Sequence, residues 1–135
     1  MSYKIDEIEG IGPAYAEKLS AAGIATTEDL LDKCCTPAGR ASVAETTGMG
    51  ESTVLKWTNM ADLMRISGIG PQFSELLKGA GVDTVKELRT RNAENLAAKM
   101  EEVNNEKNLA KTSPPHATIQ KWVEAAGEMA PKITY

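Results

Sequence analysis

The sequence predicts an all-α fold made of two similar units of four to five helices each, and three observations lead there. Helix-forming Ala, Leu, Glu and Lys are abundant, aromatic residues make up only 4% of the chain, and no β-branched run alternates over any length. Helices should therefore dominate, with no sheet. The stretch from Ile8 to Leu30, IEGIGPAYAEKLSAAGIATTEDL, recurs 58 residues later from Ile66 to Leu88 as ISGIGPQFSELLKGAGVDTVKEL. Helix-capping signals recur at the same offset. The chain has 135 residues, so each repeat occupies about 60 to 70, near the lower limit for a self-sufficient core, and the two units should stabilise each other.

The opening helix is expected over about Tyr3 to Ile8, stopping at Gly10. Pro13 suits the first position of the next helix, where its missing N–H is not needed and its φ is already helical. Tyr15, Leu19 and Ala22 then follow the i, i+4, i+7 spacing of a buried face, and Gly23 ends the helix. Phe73, Leu77 and Ala80 repeat that stripe, and Gly81 repeats the stop. A further helix follows in each copy, announced by the capping boxes Thr26 with Asp29 and Thr84 with Glu87.

The copies then diverge but converge again on Lys56-Trp57 and Lys121-Trp122. The second copy is seven residues longer, most simply in the Asn- and Pro-containing loop from Asn104 to Pro115, where turn-forming residues predict mobility. A helix from about Glu51 to Arg65 closes the first unit, residues 1–63, and opens the second, residues 64–135. The expected arrangement is a rigid pair sharing that connecting helix.

Composition narrows the function classes. The amino terminus MSYKIDEIEG carries no charged-then-apolar leader, and no segment approaches the roughly 20 apolar residues that span a bilayer. A soluble, cytoplasmic protein is expected. Cys34 and Cys35 are adjacent, a spacing unsuited to a structural disulfide or a tetrahedral metal site, so partly buried thiols at a helix end are expected. The net charge of −4 is unevenly spread: residues 1–63 hold five Lys/Arg against ten Asp/Glu, and residues 64–135 hold ten against nine. Any nucleic-acid contact is therefore expected in the second half, where Lys86, Arg89 and Arg91 lie close together in sequence.

Gly10-Ile11-Gly12-Pro13 and Gly68-Ile69-Gly70-Pro71, each followed one turn later by a small residue, Ala16 or Ser74, resemble helix-hairpin-helix motifs. The first unit resembles the amino-terminal double helix-hairpin-helix domain of archaeal recombinases, with Gly48-Met49-Gly50 as its second hairpin. The second unit resembles a bacterial helix-hairpin-helix family of unknown function. The resemblance implies a SAM-like fold, two units related by duplication, and hairpin amides that hold one DNA phosphate each without reading sequence. Glycine lets the hairpin backbone approach a ligand, and uncapped N–H groups with the helix dipole attract an anion. The candidate nucleic-acid-binding residues are thus Gly10, Ile11, Gly12, Gly68, Ile69, Gly70, Lys86, Arg89 and Arg91, with the copy at Gly68 preferred.

The residues also allow a second reading. Lys18 is the only base in the stretches just after the two hairpins, and Glu17 and Glu75 put a carboxylate on the same early turn. The hairpins could then serve only to turn the chain and pack helices, leaving a protein-interaction adaptor whose acidic first unit docks a basic partner. Trp57 and Trp122 sit among Leu55, Met60, Ile119 and Val123 and read as core anchors rather than base-stacking platforms. Met60 and Met64 read as packing residues. Catalysis, a metal and a cofactor are not expected: the lone His116 follows two prolines with no partner at a diagnostic spacing, and neither glycine turn has the Lys and Ser/Thr of a nucleotide-binding loop.

Overall fold

The computed structural model describes residues 3–8 and 10–135. Among them a 3-10 turn at Ile5–Glu7 precedes eight α-helices: α1 (Pro13–Ala21), α2 (Thr27–Cys34), α3 (Pro37–Thr47), α4 (Glu51–Leu63), α5 (Pro71–Gly79), α6 (Val85–Leu88), α7 (Ala93–Lys107) and α8 (His116–Glu128). The all-α expectation holds. The only β-type pairing among the described residues is an isolated antiparallel bridge between Lys4 and Thr26. No helix among them is long and apolar enough to cross a membrane.

Local chemistry sets most boundaries. Pro13 and Pro71 open α1 and α5 directly after Gly12 and Gly70. Both helices close alike, Ile24 N–H returning to the Leu19 carbonyl and Val82 N–H to that of Leu77, each at 2.9 Å. At α2 the capping box forms in full: Asp29 N–H donates to Thr26 Oγ1 at 3.1 Å and Thr26 N–H to the Asp29 carboxylate at 3.3 Å. At α6 only half of the expected box forms. Glu87 N–H donates to Thr84 Oγ1 at 3.2 Å, but the Glu87 carboxylate accepts instead from Arg91 Nε at 3.1 Å.

Three expected boundaries shift. The opening helix shrinks to Ile5–Glu7 because Tyr3 pairs across the chain: Thr27 N–H donates to the Tyr3 carbonyl at 2.8 Å and Tyr3 N–H to Thr27 Oγ1 at 3.1 Å. Long-range bonds of this kind outweigh extending a helix too short to be stable alone. The connecting helix α4 ends at Leu63 rather than Arg65, because Arg65 N–H turns to the Asp62 carbonyl at 3.2 Å. Helix α7 runs on to Lys107, into the segment expected as loop, because buried Asn104 fastens the turn beyond the helix end. Its side-chain amide donates to the Ala110 carbonyl at 3.0 Å and accepts from Ala110 N–H at 2.9 Å.

Buried apolar residues fall into two clusters, and α4 serves both. Trp57, Met60 and Met64 join Ile8, Leu19 and Leu30 in the first, while Leu63 joins Ile69, Leu77 and Trp122 in the second. Each tryptophan is 3% exposed and carries an aromatic partner from the preceding glycine-turn helix. Tyr15 lies 5.7 Å from Trp57 and Phe73 lies 5.4 Å from Trp122, both tilted. Tyr15 departs from the expected buried stripe, being 44% exposed, as suits an aromatic with a polar end at the rim of a core.

Among the described residues, hydrogen bonds tie the halves at two places. Buried Asp62 at the end of α4 accepts from Val85 N–H at the start of α6, at 2.9 Å, and from Arg65 Nη1 at 2.8 Å. The carboxy-terminal tail then crosses back onto the first unit, a feature with no signal in the sequence. Thr134 N–H donates to the Cys35 carbonyl at 2.7 Å, Arg40 Nη2 donates to the Thr134 carbonyl at 2.8 Å, and Ile133 packs on the first cluster. Lys132 pairs with Asp32, and Tyr135 Oη donates to Asn59 Oδ1 at 3.3 Å.

Candidate nucleic-acid interface

The eight helices start in two ways. Four are capped by a side chain: Thr26, Thr36, Thr84 and Asn92 accept from the third amide of α2, α3, α6 and α7. The others have no side-chain cap, with glycine as N-cap at α1, α4 and α5 (Gly12, Gly50, Gly70) and Pro115 at α8. In α1 the first intrahelical bond is donated by Ala16, to the Gly12 carbonyl at 2.9 Å. Pro13 has no N–H, so Ala14 and Tyr15 keep amides without an acceptor among the described residues. The Ser74 bond to Gly70 leaves Gln72 and Phe73 in the same state, and the Val54 bond to Gly50 leaves Glu51, Ser52 and Thr53. Free amides aligned with the helix dipole form a weakly electropositive spot suited to one anion.

Beneath the two Gly-Ile-Gly turns the packing is the same. Ile11 and Ile69 are buried, and their amides return to the Ile8 and Ile66 carbonyls at 3.0 and 3.1 Å. These two candidates therefore plug the core, with neither side chain nor N–H presented outward. Gly10 and Gly68 have φ of +96° and +94°, and a Cβ there would stand 3.4 Å from Trp57 Nε1 and 3.1 Å from Trp122 Nε1 respectively. Glycine suits both for conformation, and at Gly68 the tight approach of the tryptophan beneath adds to the reason.

Above the turns the two copies differ. A Cβ on Gly12 would meet nothing within 4 Å, and one on Gly50 only Ser52 and Thr53 of its own helix, at 3.9 Å. Over Gly70, by contrast, Tyr3 Oη lies 3.6 Å from where a Cβ would be, and Tyr3 and Glu7 wall a cleft of about 580 Å³ floored by Gly68, Gly70 and Pro71. The turn expected to be the better ligand site is thus the partly roofed one, with a carboxylate at its edge.

The basic candidates do not line that cleft. Arg91 Nη2 donates to the Gly81 carbonyl at 2.9 Å and pairs with Glu87 at 3.0 Å, closing the end of α5. Lys33, 58 residues earlier, packs against Gly23, its Cε 3.3 Å from where a Cβ would be. Lys86 lines a small cavity with Asp62 and the tail residues Lys132 and Tyr135. Arg89 is the exposed C-cap of α6 and makes no ion pair among the described residues. On α1, Lys18 Nζ lies 5.9 Å over the Tyr15 ring, while Glu51 occupies the first turn of α4. His116 begins α8 and lines an open polar cleft with Glu94, Glu101 and Lys111.

The turn at Gly48–Gly50 reads as a hairpin from sequence, yet its residues are absent from the candidate set above. The readable signal is the cap: α4 starts after glycine, where α2, α3 and α6 start after threonine.

A protein-family model described as a domain of unknown function (DUF4332) matches residues 9–129, a single match that spans both glycine turns. No curated protein and no solved structure matches the chain.

Proposed function

We propose, for a chain that belongs to this family of unknown function, a non-catalytic module that holds the phosphate backbone of nucleic acid, without reading sequence, through helix-hairpin-helix turns in its first unit. The supporting observation is the pattern of caps: α1 and α4 start with glycine, free amides and open space, while four other helices satisfy theirs with Thr or Asn. An uncapped start forgoes about 0.5–2 kcal/mol relative to a good side-chain cap when Ala replaces it, and a few tenths when Gly does, so glycine leaves the amides open at little cost. Two units related by duplication account for the matched tryptophans and glycines, and such a module would act in the cytoplasm.

With Lys18 as the main local cation, binding is weak, with a dissociation constant of about 10⁻⁵ to 10⁻⁴ M at low salt and a log–log salt slope of about −1 to −2. The test is fluorescence anisotropy of labelled double-stranded DNA against wild type and Gly12→Asp/Gly50→Asp. Both positions have extended backbone that suits a capping aspartate, with φ of −83° and −70°, so the variant folds while its carboxylates occupy the amides and repel phosphate. Loss of binding in the variant supports the proposal. No binding by wild type at about 100 μM protein and 50 mM salt, or equal binding by the variant, overturns it.

The second reading is a protein-interaction adaptor, favoured by the acidity of the first unit, five Lys/Arg against ten Asp/Glu. Saturable binding of a Lys/Arg-rich peptide with no DNA binding would select it.

A further inference from the structure

Helices α4 and α5 line a half-open cavity of about 190 Å³ between the two clusters, with Ser52 of the Gly50 turn at one edge. Its apolar surface is Leu55, Met60 and Leu63, and Lys56, Lys78 and Asn59 also line it. Neither lysine makes an ion pair among the described residues. Burial, then the adjoining Lys56, pushes Lys78 below the ordinary lysine pKa, while Glu75 and Asp83 pull the other way. Two ammonium groups beside an apolar surface repel each other, and a bound anion would relieve that repulsion. Asn59 adds a directed donor: Tyr135 Oη donates to its Oδ1 at 3.3 Å, leaving the amide N–H groups to donate elsewhere. Among the lining residues two cations face one carboxylate, Asp83, and Glu75 acts on Lys78 from outside the lining, so the site suits a monoanion at most and not a dianion.

The size is informative as well. An apolar cavity of about 150 Å³ holds benzene, so this one admits a single ring or a branched chain with a carboxylate attached. We propose that this cavity binds a small organic monocarboxylate of about the size of benzoate, its charge on Lys56 and Lys78 and its apolar body on Leu55, Met60 and Leu63. Ser52 also belongs to the Gly50 turn, whereas no residue of the Gly12 turn lines the cavity.

The test is a methyl-NMR titration of the whole chain with benzoate, with benzamide as the uncharged control, repeated on Lys56→Gln/Lys78→Gln. Expected are saturable shifts of the Met60 and Leu55 methyls with a dissociation constant of about 1 mM or tighter, and at least tenfold weaker binding of benzamide. The double variant, with an otherwise unchanged methyl spectrum, should also bind benzoate at least tenfold more weakly. Gly12→Asp, at a turn that does not line the cavity, should bind benzoate like wild type, which separates failure here from failure at the hairpins. No saturation by about 20 mM, equal affinity for benzamide, unchanged affinity in the double variant, or shifts confined to other methyls would each overturn the proposal.

Discussion

Gly10 and Gly68 are equivalent: each turns the chain at positive φ directly above a buried indole, and each passes it to a Pro-started helix three residues on. At the second glycine of each turn the copies part. Gly12 faces open space, whereas Gly70 faces Tyr3 across a cleft that Glu7 also walls. The halves share the underside of the turn, fixed by packing. They differ on the upper side, which a ligand would meet, so a repeated motif carries its fold twice without carrying its exposure twice.

The largest effects should come from the shared underside. Trp57→Ala and Trp122→Ala should each cost about 3–5 kcal/mol by urea denaturation, with hydrogen-exchange protection falling first in the cluster that lost its indole. Equal loss in both clusters would mean the halves open as one. Asp62→Ala should cost about 2–3 kcal/mol, since it strands the buried Val85 N–H and breaks the Arg65 pair. Its effect should reach both clusters, unlike either tryptophan change.

Gly68→Ala should be the more damaging of the two glycine changes, about 2 kcal/mol against about 1 for Gly10→Ala, because the indole stands 3.1 Å rather than 3.4 Å from the new Cβ. A reversed order, read from denaturation midpoints, would show that Trp122 yields more readily than Trp57. Deleting residues 130–135 should remove about 1–2 kcal/mol, mainly from the first unit, because Ile133 and Thr134 bond and pack there. The smallest effect is the most discriminating. Gly12→Asp should stabilise α1 by a few tenths of a kcal/mol and weaken DNA binding, while Gly70→Asp should leave binding unchanged.

The elements legible in the sequence were those fixed by local chemistry. Pro13 and Pro71 as helix starts, Thr26 with Asp29 as a full capping box, and Trp57 and Trp122 as core residues depend on neighbours or on helical periodicity, and all are seen. Contacts between distant residues were not legible. Tyr3 pairing with Thr27, Glu87 turning from Thr84 to Arg91, and the tail seated on Cys35 and Asn59 are each decided by where the fold brings a partner. The same limit shaped the candidate site. Lys86, Arg89 and Arg91 are close in sequence, yet Arg91 is bound to the end of α5 and Lys86 faces the tail. Only the glycine caps, a local feature, pointed toward the open turns.

Whether the open face belongs to the first unit can be read by mapping amide shifts in the NMR spectrum as a short DNA duplex is added to the whole chain at low salt. Salt-sensitive shifts are expected at Gly12, Ala14, Tyr15 and residues 50–53, with Gly70, Gln72 and Phe73 unmoved. Shifts concentrated at Gly68–Phe73 and Arg89, with the first unit silent, would contradict it.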